Sequence, residues 1–178
     1  EVAAFEKKYG YGVSRFRVAV DALAVYVNKD NPIPCLTLPQ LSGMFSLNRK
    51  APGSANIKTW GDLGLTGEWA RQPIALYSRN SISGTYEYFR ETALYGGDYK
   101  PDIKQLPGSE AVVQGVAGDK FAVGYSGIGY KTDGVRAVPL ASHYGATCYA
   151  ASVEATLSGK YPIARYLYVY INKQPKQA

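Results

Sequence analysis

The chain has 178 residues, of which 46% are hydrophobic and 19% charged, so it suits a folded domain with an ordinary core and is not typical of a disordered protein. It contains no run of about 18 apolar residues, which excludes a membrane-spanning helix and predicts no membrane insertion. The net charge of +6 favours an anionic partner, but the basic residues are scattered and form no basic helix, which argues against nucleic acid.

The first predicted elements are a helix and a long strand. Residues 1–10 place apolar side chains near helical spacing and begin without an initiator Met or a signal peptide, as expected of part of a longer chain. Residues 17–28, RVAVDALAVYVN, are apolar at nearly every position and rich in valine, which predicts a strand buried on both faces. Thr37 can then cap a helix, with Gln40 at the capping-box position.

Strands and helices alternate through the rest of the chain. PIALYS (73–78) predicts a short strand, and apolar side chains at helical spacing predict a helix over 86–94. The elements predicted after it are a helix capped by Ser109, a strand and glycine turn within 121–131, a strand at 135–140 and an alternating strand within 161–173. Strands that alternate with helices predict an α/β sheet.

Cysteine and histidine usage limits the metal chemistry of the chain. Cys35 and Cys148 lie far apart and outside any CxxC pattern, and His143 is the only histidine, so neither a zinc site nor another cofactor is predicted. Two interpretations of the cysteines stay open. They are a long-range disulfide in an exported protein and a pair of buried thiols.

The stretch RNSISGTYEYFRE, residues 79–91, follows a predicted strand and opens a predicted helix. This places it at the sheet edge where open α/β folds bind ligands. The first N–H groups of a helix point outward with partial positive charge, and Gly84 lets a ligand approach the backbone closely. Ser83 and Thr85 add hydroxyl donors, and Arg79 offers a planar fork of N–H groups that matches two oxygens of a tetrahedral anion.

Two alternatives compete with an anion site. In the first, Ser83 only caps the helix while Arg79 makes a surface ion pair. In the second, Ser83 is the nucleophile of a phosphatase, but the segment has no G-x-S-x-G setting, no histidine partner motif and no metal cluster. The sequence therefore predicts a protein that is not an enzyme, and the segment also lacks the GxxxxGK[ST] pattern of a nucleotide P-loop.

The residues from Arg79 to Thr85 resemble the anion-binding R-x-x-x-S-G-T motif of the periplasmic phosphate-binding proteins that serve ABC transporters. The likeness continues, in the order of that family, over AFEKKYG, VAVDALAVYVNKDNPI, LTLPQL, IKTWGDLGLTGEW, PGSEAVVQGVAGD, AVGYSGIGYKTDGVRAVPL and GKYPIARYLYVYINK. It covers essentially the whole chain, and the combination is specific.

The resemblance implies an α/β, periplasmic-binding-protein-like lobe with a central mixed sheet flanked by helices, plus crossover strands and remnants of the other lobe. Residues 1–29 would hold the end of the first lobe and the first crossover strand. Residues 30–160 would form the second lobe with the anion loop. Residues 161–178 would hold the returning crossover strand and the start of the first lobe's C-terminal part, and the missing N-terminal portion would precede residue 1.

Carried over residue by residue, the resemblance implies that Arg79 binds phosphate by its guanidinium, Ser83 and Thr85 by hydroxyl and backbone N–H, and Gly84 by its N–H. Some relatives place an acidic residue two positions after the arginine, where Ser81 stands here, which implies a less restrained guanidinium and a more positive site. The family's first lobe also supplies a carboxylate that accepts a hydrogen bond from protonated phosphate, in segments expected before residue 1.

The implied function is non-catalytic binding of inorganic phosphate between two lobes, for delivery to the permease subunits of an ABC transporter. The implied location is the periplasm, the cell surface or the secreted fraction. The alternatives are a surface or secreted relative that acts as an adhesin or scaffold, and a binder of another oxyanion such as sulfate. Asp21, the acid nearest to a predicted crossover strand, has no acceptor motif and is expected to be structural.

Overall fold

The computed structural model describes residues 2–171, which fall into two compact units. One comprises the described residues up to 21 and from 165 onward, and the other comprises residues 22–164. The helices are α1 (Val2–Tyr9), α2 (Leu38–Phe45), α3 (Gly84–Ala93), α4 (Ser109–Ala117) and α5 (Val153–Leu157). The strands are β1 (Ser14–Asn28), β2 (Leu36–Thr37), β3 (Ala75–Arg79), β4 (Lys104–Leu106), β5 (Ala122–Gly127), β6 (Val135–Ala137), β7 (Leu140–Ala141) and β8 (Ala164–Ile171). Short 3-10 helices span Gly61–Leu63, Gly67–Trp69 and Ile128–Tyr130.

A six-stranded mixed sheet organises the fold. Its order is β4–β3–β5–β1–β6, and β8 pairs with β1. Strand β3 runs parallel to β4 and β5, whereas β1 runs antiparallel to β5 and β6. This arrangement confirms the predicted α/β fold with a central mixed sheet.

Helix α4 packs against the sheet through three fully buried valines, Val112, Val113 and Val116. Gly124 of β5 permits this close packing, because a Cβ there would lie 2.9 Å from Cγ2 of Val116. The same helix also contacts β3. Helix α4 therefore lies against β3, the strand that leads into residues 79–85.

Helices α2 and α3 contribute to the larger hydrophobic core. Phe45 of α2, Phe89 of α3 and Tyr125 of β5 meet in that core, with the rings of Phe89 and Tyr125 stacked. The predicted capping box at the start of α2 is confirmed, since the N–H of Gln40 donates to Oγ1 of Thr37 and the N–H of Thr37 donates to Oε1 of Gln40. Helix α2 thus begins where its capping residues predict.

The cysteine pair forms a disulfide between Cys35 and Cys148, which are separated by 113 positions in the sequence. Cys35 precedes β2, and Cys148 precedes Tyr149, which exchanges backbone hydrogen bonds with Leu140 of β7. Strands β2 and β7 form a separate two-stranded parallel ladder. The disulfide therefore joins the residue before β2 to the segment that pairs with the other side of β7.

Two strand predictions need correction. Strand β1 is buried on both faces only over residues 22–28, because residues 15–19 belong to the smaller unit and are exposed. The strand predicted over 135–140 is divided into β6 and β7, since Pro139 between them has no N–H to donate to a ladder.

The remaining sequence expectations concern Asp21, the C-terminal strand and the domain boundaries. Oδ2 of Asp21 accepts a hydrogen bond from Nε of Arg165 at 3.1 Å and lies 3.0 Å from Nη2 of the same guanidinium, which makes a structural ion pair. The predicted C-terminal strand is β8, and its last predicted positions, 172 and 173, lie outside the described residues. The lobe boundaries at 29/30 and 160/161 stay a prediction.

Candidate anion-binding site

The segment from Arg79 to Thr85 forms a strand end, a tight turn and a helix start. Strand β3 ends at Arg79, and the N–H of Asn80 donates to the carbonyl of Leu106 at 3.0 Å, which extends the β3–β4 ladder by one residue. The N–H of Ser83 then donates to the carbonyl of Asn80 at 3.1 Å and closes the turn. The segment therefore has the strand–turn–helix geometry that the sequence predicts.

Ser83 is the N-cap of α3. Its backbone is extended, with φ −81° and ψ 129°, and its Oγ accepts a hydrogen bond from the N–H of Thr85 at 3.1 Å. The backbone N–H groups of Ser83 and Thr85 thus already have partners within the loop, which differs from the expectation that both point at a ligand. The hydroxyls of Ser83 and Thr85 donate to no acceptor within residues 2–171, so neither proton is used by the described chain.

Gly84 is the first residue of α3 and is exposed. A Cβ built at this position would meet no atom within 4 Å, so the space on the Cβ side of Gly84 is open. The N-terminal end of a helix carries partial positive charge in its first turn. An anion can therefore approach the backbone at Gly84 more closely than it could at a residue with a side chain.

Arg79 reaches away from its own loop to the start of α4. Its Nη1 donates to Oγ of Ser109 at 2.8 Å, and its Nη2 donates to the carbonyl of Pro107 at 3.1 Å. Its Nε is buried and has no acceptor within the described residues. Arg79 makes no ion pair within residues 2–171, so the surface ion pair considered from the sequence is wrong there. The expectation that its guanidinium is less restrained than in relatives with an acidic residue two positions later stays a prediction.

Ser109 is the site residue that the sequence assigned to another role. It was expected to cap α4, but Gly108 is the N-cap and makes no side-chain bond there, while Ser109 occupies the first helical position. Its hydroxyl is instead the acceptor for Arg79. The segment PGSE was the part of the sequence that could have indicated this contact. Its Pro107 and Ser109 both accept hydrogen bonds from the Arg79 guanidinium.

The buried Tyr125 and the partly buried Tyr99 connect β5 to the start of α3. Tyr125 of β5 shares a hydrogen bond with Tyr99, the two oxygens being 2.6 Å apart, and Tyr99 donates to the carbonyl of Tyr86 in the first turn of α3 at 3.0 Å. Burial raises the pKa of the phenols of Tyr99 and Tyr125 well above their usual range, so both are neutral.

The loop shows none of the groups that would activate a nucleophile. Oγ of Ser83 accepts from the N–H of Thr85, and no His, Asp or Glu side chain hydrogen-bonds it within residues 2–171. His143 is exposed, and its Nδ1 lies 2.9 Å from the carbonyl of Tyr144. Across the described chain, no group of three or more His, Cys, Asp and Glu side chains could hold a metal ion.

Comparison with known proteins matches residues 1–178 to the PBP superfamily domain. The phosphate-binding protein PstS of Pseudomonas aeruginosa is 51% identical over 177 residues, which are 99% of this chain and 55% of that protein. Protein SphX of Synechococcus elongatus is 30% identical over 98% of this chain and 50% of its own length. The chain therefore spans about half the length of the curated relatives it matches.

Solved structures agree with the fold. A candidate phosphate ABC transporter substrate-binding protein from Clostridium perfringens, solved with bound phosphate, matches with a TM-score of 0.75 at 26% identity, over 98% of this chain and 64% of that one. A candidate phosphate-binding protein from Planctomyces limnophilus matches with a TM-score of 0.73 at 28% identity, over 96% of this chain and 60% of that one. In the part of the chain described, no helix has the length and apolar character needed to cross a bilayer.

Proposed function

Because this chain belongs to the PBP superfamily, we propose that it binds inorganic phosphate without chemical conversion and contributes to its delivery to an ABC transporter. The observation that carries the proposal is the geometry of Arg79 to Thr85, where a restrained guanidinium and a capped helix start flank one short turn. The names of the relatives support phosphate as the ligand and the permease subunits as partners. We further propose a periplasmic, cell-surface or secreted location, which the family resemblance implies.

Each loop residue has a defined part in this proposal. Arg79 contributes positive charge and the N–H groups not used by Ser109 and Pro107, and the hydroxyls of Ser83 and Thr85 donate to phosphate oxygens. The partial positive charge of the α3 N-terminus adds to the attraction at Gly84. Donors of these kinds stabilise a bound anion without supplying a base or a nucleophile.

We also propose that residues 30–160 form the lobe that carries this loop in a two-lobed protein. The donors described here come from one strand–turn–helix segment, so they can surround only part of an anion and leave the rest hydrated. We therefore expect this chain by itself to bind phosphate only in about the millimolar range. Micromolar or tighter binding would contradict this division of the site between lobes.

Equilibrium dialysis of the chain against radiolabelled phosphate tests the proposal, with Arg79→Ala as the informative variant. Arg71→Ala is the matched control, because Arg71 is exposed and the substitution removes the same unit of charge. We expect Arg79→Ala to lose binding and Arg71→Ala to retain it. Equal binding by the two variants would overturn the proposed function.

Sulfate in the same dialysis separates phosphate from other oxyanions. Both ligands have four oxygens, but only phosphate retains a proton near neutrality that can be donated to an acceptor on the protein. If sulfate displaces labelled phosphate at equal concentration, the loop is a general oxyanion site. If it does not, the preference for phosphate is already present in this chain.

A further inference from the structure

The partners of the Arg79 guanidinium are both neutral. Nη1 lies 2.8 Å from Oγ of Ser109, Nη2 lies 3.1 Å from the carbonyl oxygen of Pro107, and Arg79 forms no ion pair within residues 2–171. Nε is buried without an acceptor there. An Nη nitrogen carries two hydrogens, so one hydrogen on each and the Nε hydrogen are not used by these two contacts.

Neutral partners and a carboxylate partner differ in how much positive charge they leave on the Arg79 guanidinium. A carboxylate would also orient the guanidinium, but it would cancel most of the positive charge that an anion feels. A hydroxyl and a carbonyl orient it and leave that charge in place. A guanidinium that is oriented before the ligand arrives also loses less conformational entropy on binding.

We propose that Ser109, together with the Pro107 carbonyl, positions Arg79 for the bound oxyanion through a neutral contact, and that the uncompensated charge makes the site favour the doubly over the singly charged anion. The proposal rests on the proposed function, since it concerns the same loop. It makes Ser109 a positioning residue, which acts through Arg79, and it assigns Ser109 an effect on which protonation form of phosphate binds.

If the role of Ser109 were purely structural, its substitution would affect fold stability and not the choice between ionisation states of phosphate. Ser109 opens α4, and its carbonyl accepts a weak hydrogen bond from Oγ of Ser126 at 3.4 Å. If Ser109 only supported the start of α4, its substitution would change the stability of the fold. It would leave the preference between the two ionisation states of phosphate as it was.

The test uses three substitutions at one position. Ser109→Ala removes the acceptor, Ser109→Thr keeps a hydroxyl, and Ser109→Asp replaces it with a carboxylate. An acidic residue is favourable in the first turn of a helix, so Ser109→Asp should fold. Ser152→Asp, at the exposed N-cap of α5, is the matched control because it adds the same charge at another helix start.

Binding of inorganic phosphate is measured by NMR titration below and above its second ionisation. We expect the unmodified chain to bind more tightly above it, and Ser109→Ala to weaken binding about 2- to 10-fold at both values. Ser109→Thr should restore most of the affinity. Ser109→Asp should weaken binding of the doubly charged form by about tenfold and remove the preference for it, whereas Ser152→Asp should not.

The design isolates Ser109 from the other charges around Arg79. The charged groups on the elements that contact β3 are the same in every variant, and they are Lys104 of β4, Glu110 of α4, and Glu87, Arg90 and Glu91 of α3. If the unmodified chain binds phosphate but Ser109→Asp keeps its preference for the doubly charged form, the inference is overturned while the proposed function stands. If phosphate does not bind the unmodified chain, both are overturned.

Discussion

The phenol oxygens of Tyr99 and Tyr125 lie 2.6 Å apart, and this contact connects β5 to the first turn of α3 through the Tyr86 carbonyl. Tyr125 is fully buried, and its ring stacks on Phe89. Neither phenol can ionise without placing a charge in this core. The pair therefore couples the support of the anion loop to the protonation state of tyrosine.

We predict that this coupling makes the fold sensitive to alkali. Burial raises the pKa of Tyr26 to about 12 and raises the pKa of Tyr99, Tyr125 and Tyr161 further. A raised folded-state pKa gives stability that is fully present below the unfolded value of about 10 and is lost as the pH rises through the folded value. Each such group lowers the free energy of unfolding by up to about 1.4 kcal/mol per pH unit in that window.

Urea unfolding at a series of pH values measures this dependence. We expect the free energy of unfolding to fall above about pH 10. In Tyr125→Phe it should fall less steeply, because one buried phenol is removed. Tyr144→Phe is the control, since Tyr144 is half exposed at 50% and should leave the slope unchanged. A flat profile up to about pH 12 would contradict the buried, neutral assignment of these tyrosines.

Gly84→Ala is predicted to separate binding from folding. The Cβ meets no atom within 4 Å, and the helical backbone of Gly84 suits alanine, so the free energy of unfolding should stay the same or rise by up to about 1 kcal/mol. The same methyl group would occupy the space through which an anion approaches the backbone, so phosphate affinity should fall several-fold. Urea unfolding and phosphate dialysis provide the two readings.

The control for Gly84→Ala is Gly118→Ala at the end of α4. Gly118 is also exposed, its φ is −82°, and a Cβ would make an ordinary contact of 3.5 Å with the Gln114 carbonyl. It should bind phosphate like the unmodified chain. Unchanged phosphate affinity in Gly84→Ala would show that the anion does not approach the backbone at this position.

Ser83→Ala is predicted to lose both stability and binding. The substitution removes the acceptor of the Thr85 N–H and should lower the free energy of unfolding by about 1 kcal/mol. Ser152→Ala removes the cap of α5, where Oγ accepts from the N–H of Ala155 at 3.1 Å, and should be destabilising by a similar amount. Only Ser83→Ala should also weaken phosphate binding. If Ser83→Ala lost stability but kept its phosphate affinity, Ser83 would be a helix cap and no ligand contact.

The disulfide is predicted to stabilise the fold without affecting the anion loop. Closing a loop of 113 positions restricts the unfolded chain, so reduction should lower the free energy of unfolding by about 2–5 kcal/mol. Cys148 is exposed, which gives a reductant access to the bond. Urea unfolding with and without reductant measures the change, and Cys35→Ser reproduces it. If reduction abolished phosphate binding at urea concentrations where the chain is still folded, the disulfide would also affect residues 79–85, against this prediction.

Local sequence signals predicted the parts of the site that depend on neighbouring residues. Thr37 and Gln40 form the expected capping box, and Ser83 caps α3, because caps are made by residues two or three positions apart. The order of strand, turn and helix around Arg79 follows from the same local rules. The resemblance over the whole chain, and not these local rules, predicted that this strand, turn and helix belong to a mixed sheet.

The contacts of Arg79 could not be predicted in this way. Its partners, Pro107 and Ser109, lie 28 and 30 positions away, and they meet it because α4 packs on the sheet through its valines. A serine at a helix start is an ordinary cap candidate, so local chemistry assigned Ser109 to the helix. Which side chain a guanidinium selects depends on tertiary packing, which no local pattern contains.

The central claim is that the residues from Arg79 to Thr85 hold an oxyanion, and phosphate titration followed by two-dimensional NMR of the ¹⁵N-labelled chain tests it most directly. The account predicts that the backbone N–H signal of Gly84 and the Nε–H signal of Arg79 shift together and saturate with one dissociation constant. Sodium chloride at equal ionic strength should not reproduce the shifts. Shifts that are confined to other residues, or that chloride reproduces, would contradict it.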